Sequence, residues 1–297
     1  MTLPALPPDF EDFWRGTAEE AAGATLDFEV RQNKAFDLPG FSVQTFEFRG
    51  ISGERLHGWI ARSESAPKPA PGFLWIPPYG RESLLPNQYG TREGFVSLSF
   101  NFFGHGAFHQ EKYTPPRGYF AEGIEGPRTF VFRKMFQNAY LASRILGGLD
   151  GVDSERIGSM GMSQGGGISI WLGAWCETIK AVCADMPFLG NIGEAITRTV
   201  YRYPTKELTD YAEAHENGME TVLSTLGYFD TVRQAAFCRV PTHVSLGIKD
   251  PAAKPHTVEA VFASLPRAKV LRRYEIGHDW FPAMVENNRH WLLENLR

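Results

Sequence analysis

The chain has 297 residues, of which 43% are hydrophobic and 22% charged, and its formal net charge is −4. This composition is typical of a globular protein in solution, and the length fits either one large α/β domain or two average domains. We find no basic patch for nucleic acid, no apolar run of the roughly 20 residues that span a membrane, and no signal peptide pattern at the N-terminus.

The three cysteines, Cys176, Cys183 and Cys238, are too few and too irregularly spaced for a disulfide framework or a zinc site. Each lies among apolar residues, which favours buried free thiols. We therefore expect a cytoplasmic protein without metal.

The N-terminal region predicts a helix followed by a hairpin. Asp9 is placed to cap a helix that runs to about Ala22 and stops at Gly23. Its apolar face comprises Phe10, Phe13, Trp14 and Ala18. The segments FSVQTFEFRG and RLHGWIAR alternate as two antiparallel strands do, so residues 1–62 form an N-terminal arm and hairpin.

Beyond a polar loop at residues 63–71, strand patterns alternate with helix patterns. The predicted strands lie at 72–78, 94–103, 156–162, 179–187, 240–250 and 268–276, and the predicted helices at 128–146, 165–175, 256–265 and 281–296. The segment at about 190–238 is mostly helical and predicts an insertion over the carboxyl edge of the sheet. With no dividing linker, we predict one domain over 1–297: a mostly parallel sheet with helices on both faces and ligands at the carboxyl ends of the strands.

The stretch RIGSMGMSQGGGISIW contains the pattern G-x-S-x-G at residues 161–165. A strand, a sharp turn that carries Ser163, and a glycine-rich helix predict the nucleophile elbow of the α/β-hydrolase fold. Such a turn exposes the serine hydroxyl and directs the backbone N–H of Gln164 at a forming oxyanion. The alternative is a plain glycine-rich connection; the pattern of a phosphate-binding loop is missing.

A serine nucleophile needs a base, and the base needs an orienting acid, in the chain order Ser, Asp or Glu, His. His278 lies between the last strand and the last helix, where this fold places its base. His243 lies inside a strand, and His215 and His256 lie on polar helices. Asp250 ends a strand ahead of His278 and is the predicted acid; its rivals are Asp185 and Asp279.

The sequence is less informative about the residues that surround the predicted triad. A second oxyanion donor is expected from the loop 77–80, and because prolines such as Pro78 have no N–H, the donor is Tyr79 or a later residue. His105 and His109 either contact substrate or are ordinary loop residues. The apolar residues expected near the strand ends, where they would limit the acyl group to short chains, are Tyr79, Phe188, Trp280 and Phe281.

Together these segments resemble the acetyl xylan esterase and cephalosporin C deacetylase family, carbohydrate esterase family 7. The matching segments, in order, are DFEDFWRGT, GERLHGWI, GPRTFVFRKMF, GMSQGGGIS, ADMPFL, YFDTVRQAAFCRVPTHVSLGIKD and the region of the terminal His. The resemblance implies that Ser163 is the nucleophile, Asp250 the acid, His278 the base and Gln164 an oxyanion donor. It also implies deacetylation of sugars or related small esters without metal or cofactor, often in hexamers.

The chain departs from that family's pattern around the site. The family's R-G-Q-G motif is replaced here by Phe103-Gly104-His105-Gly106, and its H-E pair is replaced by His278-Asp279. The oxyanion loop has Pro78-Tyr79 in place of Tyr-Asn-Gly, and the segment after Gly106 is shorter. These departures leave the three catalytic residue types in place and indicate a divergent branch.

The leading hypothesis from the sequence is a serine esterase that acts through a Ser-His-Asp triad and hydrolyses short-chain esters, with acetyl as the expected acyl group, of carbohydrates or related molecules. One alternative is another serine hydrolase or acyltransferase with a different acyl or amide substrate. The other is a binding protein that keeps the α/β-hydrolase fold without catalysis.

Overall fold

The computed structural model describes residues 4–32, 36–197 and 202–297. Within these ranges, nine strands form one sheet in the order β1-β2-β3-β5-β4-β6-β7-β8-β9. Their bounds are β1 Phe28–Gln32, β2 Phe41–Arg49, β3 Arg55–Ser63, β4 Ala70–Ile76, β5 Val96–Asn101, β6 Val152–Met162, β7 Ile179–Asp185, β8 Thr242–Gly247 and β9 Lys269–Tyr274.

The strands from β4 to β9 run parallel, so their carboxyl ends share one edge of the sheet. β1, β2 and β3 extend the other side of the sheet as antiparallel neighbours, and β3 pairs antiparallel with β5. Every residue of β4, β5 and β8 is buried. Continuous apolar runs of this kind are expected where helices cover both faces of a parallel sheet.

The helices are α1 Phe10–Gly23, α2 Val131–Gly148, α3 Gln164–Trp175, α4 Ile192–Ile196, α5 Thr205–Ala214, α6 Gly218–Phe229, α7 Thr231–Ala235, α8 Pro255–Ser264 and α9 Pro282–Asn295, with a short 3₁₀ helix at Pro115–Arg117. One apolar core lies between the sheet and α1, α2 and α3, and a second lies between the sheet and α9. This arrangement is the predicted α/β-hydrolase fold. Helices α4 to α7 form the predicted insertion between β7 and β8.

The N-terminal helix docks through its aromatic face. Trp14 is fully buried and donates its indole N–H to the carbonyl of Tyr228 at 3.0 Å. Its ring lies 5.4 Å from that of Phe136 and 5.6 Å from that of Trp171. Helix α1 therefore joins α2 and α3 to the helical insertion.

The structure corrects three local predictions. Asp9 occupies the N-cap position of α1 without capping it, since its carboxylate accepts the Tyr228 hydroxyl at 2.6 Å. Helix α2 continues through Gly147 and Gly148. Strand β1 was not predicted because, as an edge strand, it is mostly exposed and has only a weak apolar alternation.

The three cysteines are free and buried, as the sequence predicts. Within the described ranges, no helix combines the length and the apolar character that crossing a bilayer requires.

Candidate active site

The turn between β6 and α3 carries Ser163 in a strained conformation, with φ 57° and ψ −119°. A non-glycine residue rarely adopts positive φ, and such strain concentrates at functional turns. The glycines on either side are there for steric reasons. A Cβ at Gly161 would lie 2.3 Å from the carbonyl carbon of Gly165, and a Cβ at Gly165 would lie 2.3 Å from the carbonyl oxygen of Ile76.

The loops after β8 and β9 bring Asp250 and His278 together. His278 Nδ1 lies 2.7 Å from Asp250 Oδ2, and the Asp250 side chain is fully buried. The other carboxylate oxygen, Oδ1, accepts the backbone N–H groups of Ala252 at 2.7 Å and Ala253 at 2.9 Å. Backbone donors thus fix the carboxylate, and the carboxylate fixes the imidazole ring.

The rival carboxylates have other partners. Asp185 is fully buried, and its Oδ2 accepts the Tyr89 hydroxyl at 2.6 Å and the Asn288 amide at 2.9 Å. Asp279 accepts the backbone N–H of Trp280 at 2.8 Å. Of the three candidate acids, Asp250 is the one hydrogen-bonded to His278.

The loop after β4 packs against the first turn of α3. The Tyr119 hydroxyl donates to Gln164 Oε1 at 3.1 Å and accepts the backbone N–H of Gly80 at 3.2 Å. Gln164 Nε2 approaches the carbonyl of Pro78 at 3.5 Å. Pro78 has no N–H and that of Gly80 is engaged, whereas the backbone N–H of Tyr79 donates in none of the described hydrogen bonds.

Glu207 of α5 holds this loop from the other side, and the sequence patterns did not identify it. Its Oε1 accepts the hydroxyls of Tyr79 at 2.5 Å and Tyr113 at 2.7 Å, and its Oε2 accepts the backbone N–H of Phe120 at 2.6 Å. Burial, reinforced by the Glu207 carboxylate, raises the pKa of the Tyr79 hydroxyl well above its ordinary value. Tyr79 is therefore a neutral donor to Glu207 at neutral pH.

The Glu207 cluster could not be predicted from local sequence. Tyr79, Tyr113 and Phe120 precede Glu207 by 128, 94 and 87 positions, so the cluster forms no motif of fixed short spacing. The only local signal is the concentration of aromatic residues between Tyr113 and Phe120.

A cavity of about 740 Å³ opens over the elbow. Its lining comprises Pro78, Tyr79, Met162, Ser163, Phe188, Ala195, Arg202, Tyr203, Pro204, Thr205, Pro251, Ala252, Lys254 and His278. Ser163 and His278 thus face the same space, together with Pro78, Tyr79 and Phe188 from the predicted wall. Ser163 is only 8% exposed, so it lies at the floor of the cavity.

Four residues considered as possible substrate contacts lie elsewhere. His105 and His109 line a separate groove of about 330 Å³ with His57 and Phe108. The ring of Trp280 stacks on Tyr89 at 5.3 Å, and that of Phe281 packs on Tyr274 at 5.5 Å. These residues are not among those that line the cavity over Ser163.

The segment that departs from R-G-Q-G has its own packing. The Phe103 ring lies 4.4 Å from that of Tyr119, and the Arg81 guanidinium lies 4.6 Å above Phe103. Tyr119 in turn bonds Gln164. An aromatic contact thus supports the first turn of α3 through Tyr119, where the family pattern has Arg and Gln.

The chain as a whole is similar to known proteins. The sequence profile described as acetyl xylan esterase (AXE1) matches residues 1–295. The chain belongs to this family.

Individual relatives are distant. The chain is 19% identical to the acetyl esterase Axe7A of Xylanibacter ruminicola over 290 residues. That match covers 92% of this chain and 64% of the relative, so the chain spans less than two thirds of the length of Axe7A.

Solved structures support the fold. The acetyl xylan esterase from Paenibacillus sp. R4 superimposes with a TM-score of 0.87 at 22% identity, over 98% of this chain and 96% of that one. Acetyl xylan esterase 1 from Thermoanaerobacterium sp. JW/SL YS485 gives a TM-score of 0.82 at 22% identity, with both chains fully covered. The low identities agree with a divergent member.

Proposed function

We propose that this protein is a serine esterase that removes short acyl groups, acetyl above all, from carbohydrates or related small alcohols. The observation that carries the proposal is the 2.7 Å contact of His278 with Asp250 beside a cavity that Ser163 and His278 both line. Family membership supports the ester as the bond attacked.

The first half of the reaction forms an acyl-enzyme. With Nδ1 bonded to Asp250, the Nε2 atom of His278 takes the proton as Ser163 Oγ attacks the ester carbonyl carbon. The backbone N–H groups of Gln164 and Tyr79 stabilise the oxyanion of the tetrahedral intermediate. When the intermediate collapses, the carbon–oxygen bond to the alcohol breaks, and His278 returns the proton to the leaving alcohol.

The second half releases the acid. Water enters the space that the alcohol has left, His278 takes its proton, and the hydroxide attacks the acyl carbon. Collapse of the second intermediate breaks the bond to Ser163 Oγ, and the proton returns from His278 to that oxygen. The products are one alcohol, one carboxylic acid and the free enzyme.

The preference for short acyl groups rests on the floor of the cavity. Tyr79 packs between the rings of Tyr113, at 5.2 Å, and Tyr119, at 4.5 Å, while its hydroxyl is held by Glu207. Phe188 packs against Phe120 at 5.6 Å. A wall whose side chains are fixed in this way resists opening for a longer chain.

The test is hydrolysis of a series of 4-nitrophenyl esters from acetate to octanoate. We expect kcat/KM to fall steadily with acyl length, and we expect Ser163→Ala to lower kcat for the acetate by about 10⁴-fold or more.

The matched control is Ser264→Ala, which makes the same change at the end of α8, where the hydroxyl bonds the carbonyl of Ala260. Acetate turnover by Ser163→Ala at the rate of Ser264→Ala would refute the proposed nucleophile. Equal rates on acetate and octanoate would refute the short-chain preference.

A further inference from the structure

The cavity over Ser163 has positive side chains and no described negative one. Arg202, just before α5, and Lys254, just before α8, are both exposed and both line it. None of its described lining residues is Asp or Glu, and the sequence of residues 198–201 contains neither. This is unexpected for a chain with more acidic than basic residues and a net charge of −4.

These two cations have no ion-pair partner among the residues that the structure describes. Comparable surface lysines do: Lys206 pairs with Asp210, and Lys180 lies 3.1 Å from Glu155. An unpaired cation at the mouth of a cavity is free to attract an anion from solvent.

Helix N-termini add to the positive field. The N-cap residues of α3, α5 and α8 are Ser163, Pro204 and Lys254, and all three line the cavity. Each helix N-terminus acts as roughly half a positive charge for nearby anions. Three separate elements thus present their positive ends to the same space.

The neighbouring carboxylates are already bonded to other groups. Asp250 is bonded to His278 and to two backbone N–H groups, and Glu207 accepts from two tyrosine hydroxyls and a backbone N–H. Asp279, beside His278, is exposed, lies outside the lining and accepts the N–H of Trp280. None of the three is among the described residues that line the cavity.

We propose that the preferred substrates are esters whose alcohol part carries a carboxylate, such as acetylated acidic sugars. This inference rests on the proposed esterase function. The short acyl group occupies the floor, where Ser163 is buried, so the alcohol part extends to the mouth. There the exposed Arg202 and Lys254 meet the carboxylate.

The experiment compares 4-acetoxybenzoate with its methyl ester, which bears the same acetyl group without the negative charge. The measured quantity is the ratio of kcat/KM for the charged substrate to that for the neutral one. Replacing both cations, as Arg202→Gln with Lys254→Gln, should lower this ratio about tenfold, and raising the salt concentration should lower the wild-type ratio as well.

The matched control removes two positive charges elsewhere, as Lys134→Gln with Lys180→Gln, on α2 and β7. Both lysines already pair with glutamates, and neither lines the cavity. The control should keep the wild-type ratio. A ratio that is unchanged in the Arg202 and Lys254 variant, or equally lowered in the control, would overturn the inference.

The outcomes also separate the two proposals. One outcome is that hydrolysis of the neutral ester depends on Ser163 but the kcat/KM ratio does not change when Arg202 and Lys254 are replaced. The esterase proposal then stands, and the proposed preference for anionic substrates is wrong. If neither aryl acetate nor the nitrophenyl series is hydrolysed, the esterase proposal itself is wrong.

Discussion

At the scale of single residues, Glu207 is the side chain with the most consequences for the site. It is half-buried and binds three donors from two loops, so it fixes where the chain around Tyr79 lies. The Tyr79 backbone N–H is the proposed second oxyanion donor. Since Glu207 touches neither Ser163 nor His278 in the described contacts, its effect on catalysis passes through Tyr79, as a positioning residue.

We expect Glu207→Gln and Tyr79→Phe each to lower kcat for a short aryl ester about tenfold, with a smaller change in KM, because a misplaced donor weakens the transition state more than substrate binding. The double variant should be little worse than the poorer single variant, since both changes act on the Glu207–Tyr79 hydrogen bond: one removes the hydroxyl, and the other replaces the carboxylate with a neutral amide that has a single accepting oxygen. Steady-state kinetics on all four proteins test this.

The control for that cycle is Glu213→Gln, an exposed residue on the same helix. It should leave kcat and KM within twofold of wild type. Fully additive losses for Glu207→Gln and Tyr79→Phe would mean that the two side chains act independently.

At the scale of elements, the close approach of α3 to the end of β4 builds the elbow. A Cβ at Gly165 would meet the backbone oxygens of Ile76 at 2.3 Å and Pro77 at 3.0 Å, and backbone atoms cannot rotate away as a side chain does. Gly165 directly follows Gln164, and Pro77 lies two residues before Tyr79, so this contact lies close to both proposed oxyanion donors.

Gly165→Ala should lower the free energy of unfolding by about 3 kcal/mol and reduce kcat together, because α3 must shift away from β4. Gly148→Ala is the matched control: it lies at the end of α2 with nothing within 4 Å of its Cβ position. That change should be neutral or stabilising by up to about 1 kcal/mol. Denaturant unfolding and esterase rates measure both, and a fully active, fully stable Gly165→Ala would contradict the described packing.

The elements that could be predicted are those whose residues form a continuous apolar run or a clear periodic pattern. The buried strands, helix α3 and the positions of Ser163, Asp250 and His278 at strand ends all follow from apolar runs and from chain order. The edge strand β1 lacks such a run. The Glu207 cluster and the mouth formed by Arg202 and Lys254 depend on how the insertion folds back, and no local pattern encodes that contact.

At the scale of the whole molecule, the N-terminal helix couples the insertion to the core. Phe13 packs on Tyr228 of α6 at 4.9 Å, and Trp14 packs on Phe229 at 5.0 Å, on Phe136 of α2 and on Trp171 of α3. The insertion in turn supplies Glu207 and one wall of the cavity. Helix α1 thus helps to hold in place the wall of the cavity that the insertion supplies.

The three buried cysteines make this coupling measurable. Cys176 follows α3, Cys183 lies in β7 and Cys238 follows α7, and burial raises the pKa of each thiol. A thiol reagent needs both access and a thiolate, so each sulfur should react only when its region opens. Mass spectrometry of labelling over time, with each cysteine assigned by peptide mapping, then reports regional opening.

We expect all three thiols to label at once in denaturant and orders of magnitude more slowly in native buffer. In Trp14→Ala, Cys176 and Cys238 should label faster than Cys183, because Cys176 lines a cleft with Ala18 of α1 and Cys238 directly follows Phe237, which packs on Phe10 of α1. Rapid labelling of Cys183 in the native wild-type protein would contradict its complete burial in the central sheet. The labelling rate of each cysteine thus measures how often its own region opens. Cys176 and Cys238 report on the regions after α3 and α7, and Cys183 reports on the central sheet.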